Sequence, residues 1–317
     1  MKALITGISG FVGAHLAEYL LHETDCEVAG TVFGPSENIA SLRPRLQLYL
    51  AELSNLDVVS SILEDARPDL IFHLAAQPLP ALSLKDPWST LENNIRMQLN
   101  ILEATQRLGL PARILVVGSS EEYGLIRPED LPVSEGAPLR PINPYAVSKV
   151  TQDMLGLQYH LMYGLYTVRV RPFNHIGPGQ RLGFVVPDLS KQVAEAEAGL
   201  RERVIRVGNV DVSRDFSDVR DVVRAYYLAL TKGAAGEVYN IGSGQARSVR
   251  SILEGLLSLS RVELEYREDA ERVRAVDVPL IEADCSRFRS ATGWKPQIPF
   301  ERSLQDILDY WRAKVAS

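Results

Sequence analysis

The sequence predicts an α/β protein: an open, doubly wound parallel sheet with helices on both faces, joined to a smaller, discontinuous second domain. Three observations predict it. Short apolar runs alternate with amphipathic segments over residues 1–171. The run 68–76 is almost continuously apolar, as a strand covered on both faces must be. Beyond Arg171 the alternation fades into shorter, less regular elements.

The first strand is the apolar run Ala3-Leu4-Ile5, broken at Thr6-Gly7. Gly7, Gly10 and Gly13 are spaced three apart, and a helical stripe of Ala14, Leu16, Ala17, Leu20 and Leu21 follows. A strand, a glycine turn and a helix make the opening of a dinucleotide-binding βαβ unit. Gly7 lets the turn form, Gly10 admits a pyrophosphate close to the backbone, and Gly13 lets helix and strand pack closely.

Residues 27–33 read as the second strand. An acidic residue at its end would grip a ribose and favour NAD, but Val32 and Phe33 stand there. The nearest arginines for NADP, Arg43 and Arg45, are several residues away, so the sequence leaves NAD and NADP both open. Strand three is 46–50 and ends at Glu52-Leu53; Glu52 either meets an adenine amino group or is an exposed loop acid. A helix over 55–63 precedes the inner strand, whose end carries the small Ala75 and Ala76, with room for a cofactor. His73 lies inside that apolar run and reads as structural.

Residues 86–108 read as a long helix, 113–117 as the next strand, and 124–143 as a proline-bearing loop. A helix runs from Pro144 through Met162, a strand over 165–170 and a loop over 171–179. Then come a helix over 185–198, a strand over 204–207, a helix over 219–231 that returns to the first domain, and a strand over 237–241. A helix over 248–259, a short strand over 264–266 and small helices over 288–293 and 303–311 complete the pattern. The expected division is 1–171, with a returning part around 210–245, for the cofactor, and 172–209 with 246–317 mainly for substrate.

The chain's 317 residues, 46% of them hydrophobic and 23% charged, suit a soluble globular protein. A formal charge of -6 and the lack of a lysine-arginine block point away from nucleic acid. Two cysteines, Cys26 and Cys285, lack metal-type spacing and suit a reducing compartment; no metal site is expected. Met1-Lys2 leads straight into core, so no leader is expected, and no run is long enough to cross a membrane. The cytoplasm is the expected location.

Tyr145 and Lys149, four apart at a helix start, share one face. A nearby ammonium favours the phenolate of a tyrosine, and the same lysine can reach a cofactor ribose. Such a pair suits proton transfer at a carbinol or carbonyl oxygen while hydride moves. Ser119, at the end of strand 113–117, is the hydroxyl partner. Ser120 reads as a cap, Glu121 as a carboxylate that either moves a proton on a sugar carbon or holds a hydroxyl, and Glu122 as solvent-facing or paired with a basic neighbour.

Thr6-Gly7-Ile8-Ser9-Gly10-Phe11-Val12-Gly13, His73-Leu74-Ala75-Ala76, the Tyr145/Lys149 pair, Asn174 after Pro172-Phe173, and residues 214–221 together resemble the extended short-chain dehydrogenase/reductase family. The resemblance spans essentially the whole chain and lies in the nucleotide-sugar branch of epimerases, dehydratases and reductases. It implies a Rossmann-type fold, a catalytic set of Ser119, Glu121, Tyr145 and Lys149, and a likeness to reductases of GDP-linked 4-ketosugars. The implied cofactor contacts are Gly7, Gly10, Phe11, Val12, Glu52, Leu53, Leu74, Ala75, Ala76, Tyr145, Lys149 and Pro172. The implied substrate contacts are Ser119, Glu121, Asn174, Val185, Lys191, Arg214 and Arg274. Residues 118–124 and 173–180 carry the reductase likeness. Glu121 keeps a GDP-mannose dehydratase or an epimerase open, while Phe33-Gly34 and Ile176-Gly177-Pro178-Gly179 depart from the dehydratase pattern. The resemblance further implies a GDP-sugar substrate, NADP or NAD, and a homodimer formed through helices 86–108 and 144–162. A non-catalytic nucleotide-binding protein would keep the glycines but has no need of Ser119, Tyr145 and Lys149 together.

Overall fold

Strand and helix alternate from the first residues. The computed structural model describes residues 1–34, 36–269 and 278–316. In order they form β1 (Lys2–Thr6), α1 (Phe11–Glu23), β2 (Glu27–Val32), β3 (Gln47–Leu50), α2 (Leu56–Ala66), β4 (Leu70–His73), α3 (Pro80–Lys85), α4 (Pro87–Arg107), β5 (Arg113–Val117), α5 (Pro144–Tyr163) and β6 (Tyr166–Pro172). Next come β7 (Asn174–Ile176), α6 (Val185–Glu197), β8 (Val204–Val207), β9 (Ser213–Asp218), α7 (Val219–Lys232), β10 (Val238–Ile241), β11 (Ala246–Ser248), α8 (Val249–Ser258), β12 (Glu265–Glu268), β13 (Leu280–Ile281), α9 (Ser286–Thr292) and α10 (Phe300–Ala316).

The main sheet has the order β10-β6-β5-β4-β1-β2-β3, and every neighbouring pair is parallel. Successive strand residues face opposite layers. Ile5, Phe72 and Leu115 pack with α1 and α7, while Leu4, Ile71 and Ile114 pack with α2 and α4. That is the physical content of the continuous apolar strands: both faces are covered. Strand order reverses between β1 and β4, which opens a crevice at the carboxyl ends of the strands. A second apolar cluster lies among α6, α8 and α10, with β8 and β9 against them.

Several elements depart from the sequence expectation. Residues 174–176, expected in a loop, form β7, which pairs parallel with Phe216–Asp218 of β9. β9 itself was not expected because Ser-Arg-Asp-Phe-Ser-Asp looks too polar for a buried strand. Tertiary partners satisfy its acids: Asp215 accepts from the backbone of Ser243, Gly244 and Ala283, and Asp218 from Arg220 and Ser303. The last helix runs over Phe300–Ala316, well beyond the expected 303–311, and α3 was also unforeseen.

Candidate active site

The glycine turn fits a dinucleotide. Gly7 has φ +69°, a backbone conformation that favours glycine, and a Cβ there would lie a tight 3.1 Å from the Ala75 Cα. A Cβ on Gly13 would run into the Gly7 carbonyl oxygen, so helix and turn pack backbone to backbone. Gly10 is the N-cap of α1 and no side chain caps that helix, which leaves its amino end available to an anion. Thr6 ties the crevice together: its hydroxyl accepts from Leu74 N and Ala75 N at 3.1 and 3.2 Å and bonds His73 Nδ1 at 2.8 Å. Burial pushes His73 down to about 3, so the ring is neutral and structural.

At the adenosine end, Val32 is buried and Phe33 is exposed. Arg45 donates to the Leu21 carbonyl at 2.6 Å, near the carboxyl end of α1 and remote from the glycine turn. Glu52 is exposed and accepts from the Ser54 hydroxyl at 2.9 Å. Leu53 is buried, and its carbonyl accepts from Asn100 at 2.8 Å.

The reactive side chains meet beyond β5. Lys149, buried on α5, donates to the Val117 carbonyl at 2.9 Å and lies 5.8 Å from the centre of the Tyr145 ring. Burial pushes Lys149 down to about 8, while Glu122 acts the other way. The Tyr145 phenol is raised by burial, and a hydrogen bond with Ser119 opposes this. Ser119, not Ser120, is the cap of the short turn Ser120–Glu122, and its hydroxyl accepts from Glu121 N at 3.2 Å. Glu121 accepts from Asn143 Nδ2 at 3.1 Å, and Asn143 Oδ1 caps α5 through Ala146 N at 2.8 Å. One asparagine thus fixes Glu121 and the helix that carries Tyr145. The Asn-Pro start of α5 was a readable capping signal.

Sequence reasoning missed the buried charges beneath this turn. Of the two readings of Glu122, solvent-facing fails and pairing with a basic neighbour holds: it is fully buried, takes the Ser119 N–H at 2.8 Å and lies 3.0 Å from Arg171 Nε. Arg171 also donates to Asp153 at 2.8 Å, and Arg169 pairs with the other oxygen of Asp153. Burial pushes Glu122 up to about 8; the Asp153 charge adds to this and Arg171 opposes it. These residues come from the turn, α5 and β6, so no local spacing announces them.

The substrate-side residues are more scattered. Asn174 is exposed on β7, and Pro172 is buried at the end of β6 beside Ile241. Phe11 stacks on His175 with ring centres 6.1 Å apart, and His15 Nε2 bonds the Pro178 carbonyl at 2.9 Å, so α1 holds the 174–179 segment. Val12, Leu74 and Val185 are half-buried. Lys191 pairs with Glu195 at 3.3 Å. Arg214 donates to the carbonyls of Ser213 and Val278 at 2.9 and 2.6 Å. Arg274 lies outside the described residues. Among the described residues, no group of three or more His, Cys, Asp or Glu is placed to hold a metal ion.

Comparison with known proteins adds four findings. The family model described as GDP-mannose 4,6 dehydratase matches residues 4–307. The chain is 37% identical over 314 residues to a GDP-6-deoxy-D-mannose reductase of Pseudomonas aeruginosa, covering 99% of this chain and 98% of that one. It is 29% identical over 327 residues to GDP-mannose 4,6 dehydratase 1 of Arabidopsis thaliana, covering 97% of this chain and 88% of that one. The solved structure of RMD from Pseudomonas aeruginosa complexed with NADPH superposes with a TM-score of 0.88 at 36% identity, covering 99% of both chains.

Proposed function

This chain belongs to the GDP-mannose 4,6 dehydratase family, in the nucleotide-sugar branch of the extended short-chain dehydrogenases/reductases, and on that premise we propose that it reduces the C4 ketone of GDP-4-keto-6-deoxy-D-mannose to GDP-D-rhamnose. It is an NAD(P)-dependent nucleotide-sugar oxidoreductase. The observation that carries the reading is the placement of Tyr145 with Lys149 Nζ 5.8 Å from its ring, beyond the β5 end that carries Ser119, in a chain 37% identical over 99% of its length to a GDP-6-deoxy-D-mannose reductase. A proton donor, not a base, is what reduction of a ketone requires.

When bound, the reduced nicotinamide supplies the hydride. Gly7, Gly10 and the amino end of α1 hold its pyrophosphate, and Ala75 and Ala76 line the crevice beside it. Tyr145 gives its proton to the developing C4 alkoxide. Ser119 donates a hydrogen bond to the same oxygen, and both bonds strengthen as charge develops. Lys149 holds the cofactor ribose and supports the phenol. Asn174, Val185, Lys191, Arg214 and Arg274 contact the GDP-sugar. The cofactor-binding part is 1–171 with the return near 210–245, and the substrate part is 172–209 with 246–317; β9 pairs with strands of the substrate part.

One observation favours a second reading. Glu121, fixed by Asn143, is a carboxylate beside the reactive tyrosine, as a 4,6-dehydratase would need to move a proton on sugar carbon. The two readings differ in redox balance. Purified protein given GDP-4-keto-6-deoxy-D-mannose with NADPH or NADH is expected to oxidise one cofactor per sugar. Ketosugar formed from GDP-mannose without net cofactor turnover would replace the first reading by the second.

The reading extends to a homodimer joined through α4 and α5. Trp88, Met154, Leu161 and Met162 support it, as large apolar side chains exposed on those two helices. It also extends to the cytoplasm. Two buried, free cysteines support that location, and no helix among the described residues is long and apolar enough to cross a membrane.

A further inference from the structure

Glu122 has no part in the chemistry above, yet the chain buries it completely. An acid without solvent is costly unless its surroundings answer it. Here one oxygen takes the Ser119 N–H and the other faces Arg171, which is itself bound to Asp153. Space is made for the carboxyl: a Cβ on Gly118 would run into Glu122 Oε1. The groups facing Glu122 are Asp153, Lys149 and Tyr145 from α5, Arg171 from β6 and Tyr123 from its own turn. Its carboxyl therefore sits between the ion pairs of β6 and the backbone of Ser119.

We propose that Glu122 is a positioning residue: by holding the Ser119 N–H it fixes the rotation of the short turn and so aims the Ser119 hydroxyl at the reacting oxygen. The inference rests on the roles given above to Ser119 and Tyr145. Glutamine is the neutral stand-in of the same shape, and its side-chain carbonyl can still accept from Ser119 N–H. Leucine fills the space and offers no acceptor.

The test uses the full chain and compares Glu122→Gln, Glu122→Leu, Ser119→Ala and the double variant Ser119→Ala/Glu122→Leu. NADPH affinity is read by fluorescence titration, and kcat and KM by ketosugar reduction. Glu122→Leu should lose about tenfold or more in kcat with KM and NADPH affinity unchanged, whereas Glu122→Gln should stay within about threefold of wild type. In the Ser119→Ala background, Glu122→Leu should cost no further turnover, the mark of an effect carried through Ser119. Wild-type kcat in folded Glu122→Leu, equal losses in both Glu122 variants, or an undiminished loss in the Ser119→Ala background would each overturn the proposal. If Glu122→Leu does not fold, Gly118→Ala tests the same bond by pushing the carboxyl off Ser119: a lowered kcat with intact NADPH binding upholds the proposal, and unchanged kcat defeats it. A Ser119→Ala variant with full turnover would sink the role of Ser119 instead, a separable failure. If wild type proves to be the dehydratase, the same variants are read on GDP-mannose.

Discussion

The crevice between β1 and β4 and the turn after β5 lie at the same edge of the sheet, yet they keep their shape by opposite means. The crevice is backbone against backbone. Gly7 lies against Ala75, Gly13 packs on the Gly7 carbonyl, and the Thr6 hydroxyl bridges the two strand ends. The turn after β5 stands on side chains that are charged or hydrogen-bonded: Glu122, Arg171, Asp153 and Asn143. A backbone cradle fails when volume is added to it. A side-chain clamp fails when one partner is removed. Cofactor binding and turnover should therefore come apart under different substitutions.

The widest separation is expected from Tyr145→Phe. It keeps the ring and removes the proton donor, so turnover should fall by about a hundredfold or more while NADPH titration is unchanged. Turnover near wild type would end the acid role. The opposite pattern is expected from Gly13→Val, where overpacking against the Gly7 carbonyl costs ~1–3 kcal/mol. Thermal scans should show a lower Tm and a smaller upward shift on adding NADPH; a wild-type shift would mean the cradle tolerates volume after all. Asn143→Ala removes the α5 cap and the partner of Glu121, at a cost of ~1 kcal/mol. Its kcat should fall severalfold with NADPH affinity retained, and an equal loss in both would place Asn143 in the general fold instead.

A further effect concerns pH and falls on the cradle. His73 titrates at about 3 in the folded chain, below the ordinary value of 6.5. An unfolded chain takes up this proton as pH drops below 6.5, while the folded chain does not. The stability due to neutral His73 is thus present above that value and is lost as pH falls towards 3, at no more than ~1.4 kcal/mol per pH unit. His73→Gln can still accept from Thr6 and lacks the titration. Denaturant melts should show the stability gap between wild type and His73→Gln narrowing from pH 7 to pH 5; a constant gap would show that His73 is not held neutral.

Much of the cradle was legible because its requirements are local. Gly7, Gly10 and Gly13 announce a turn, and the apolar run 68–76 announces an inner strand, within a few residues each. Tyr145 and Lys149 were legible for the same reason, being one helical turn apart. The clamp was not. Asp153, Arg169 and Arg171 look like ordinary surface charges on an amphipathic helix and a strand, and Glu122 reads equally well as exposed. β9 escaped likewise, since its acids look solvated until Ser243, Gly244 and Ser303 supply donors from distant parts of the chain.

By itself, then, the sequence determined the parallel sheet, the glycine turn and the tyrosine-lysine pair, because periodicity and short spacings fix them before any tertiary contact forms. Only the tertiary structure decided which charges are buried and that Ser119 is held from beneath by Glu122. Burial and long-range pairing set those properties, and both depend on elements that meet only when the chain is folded.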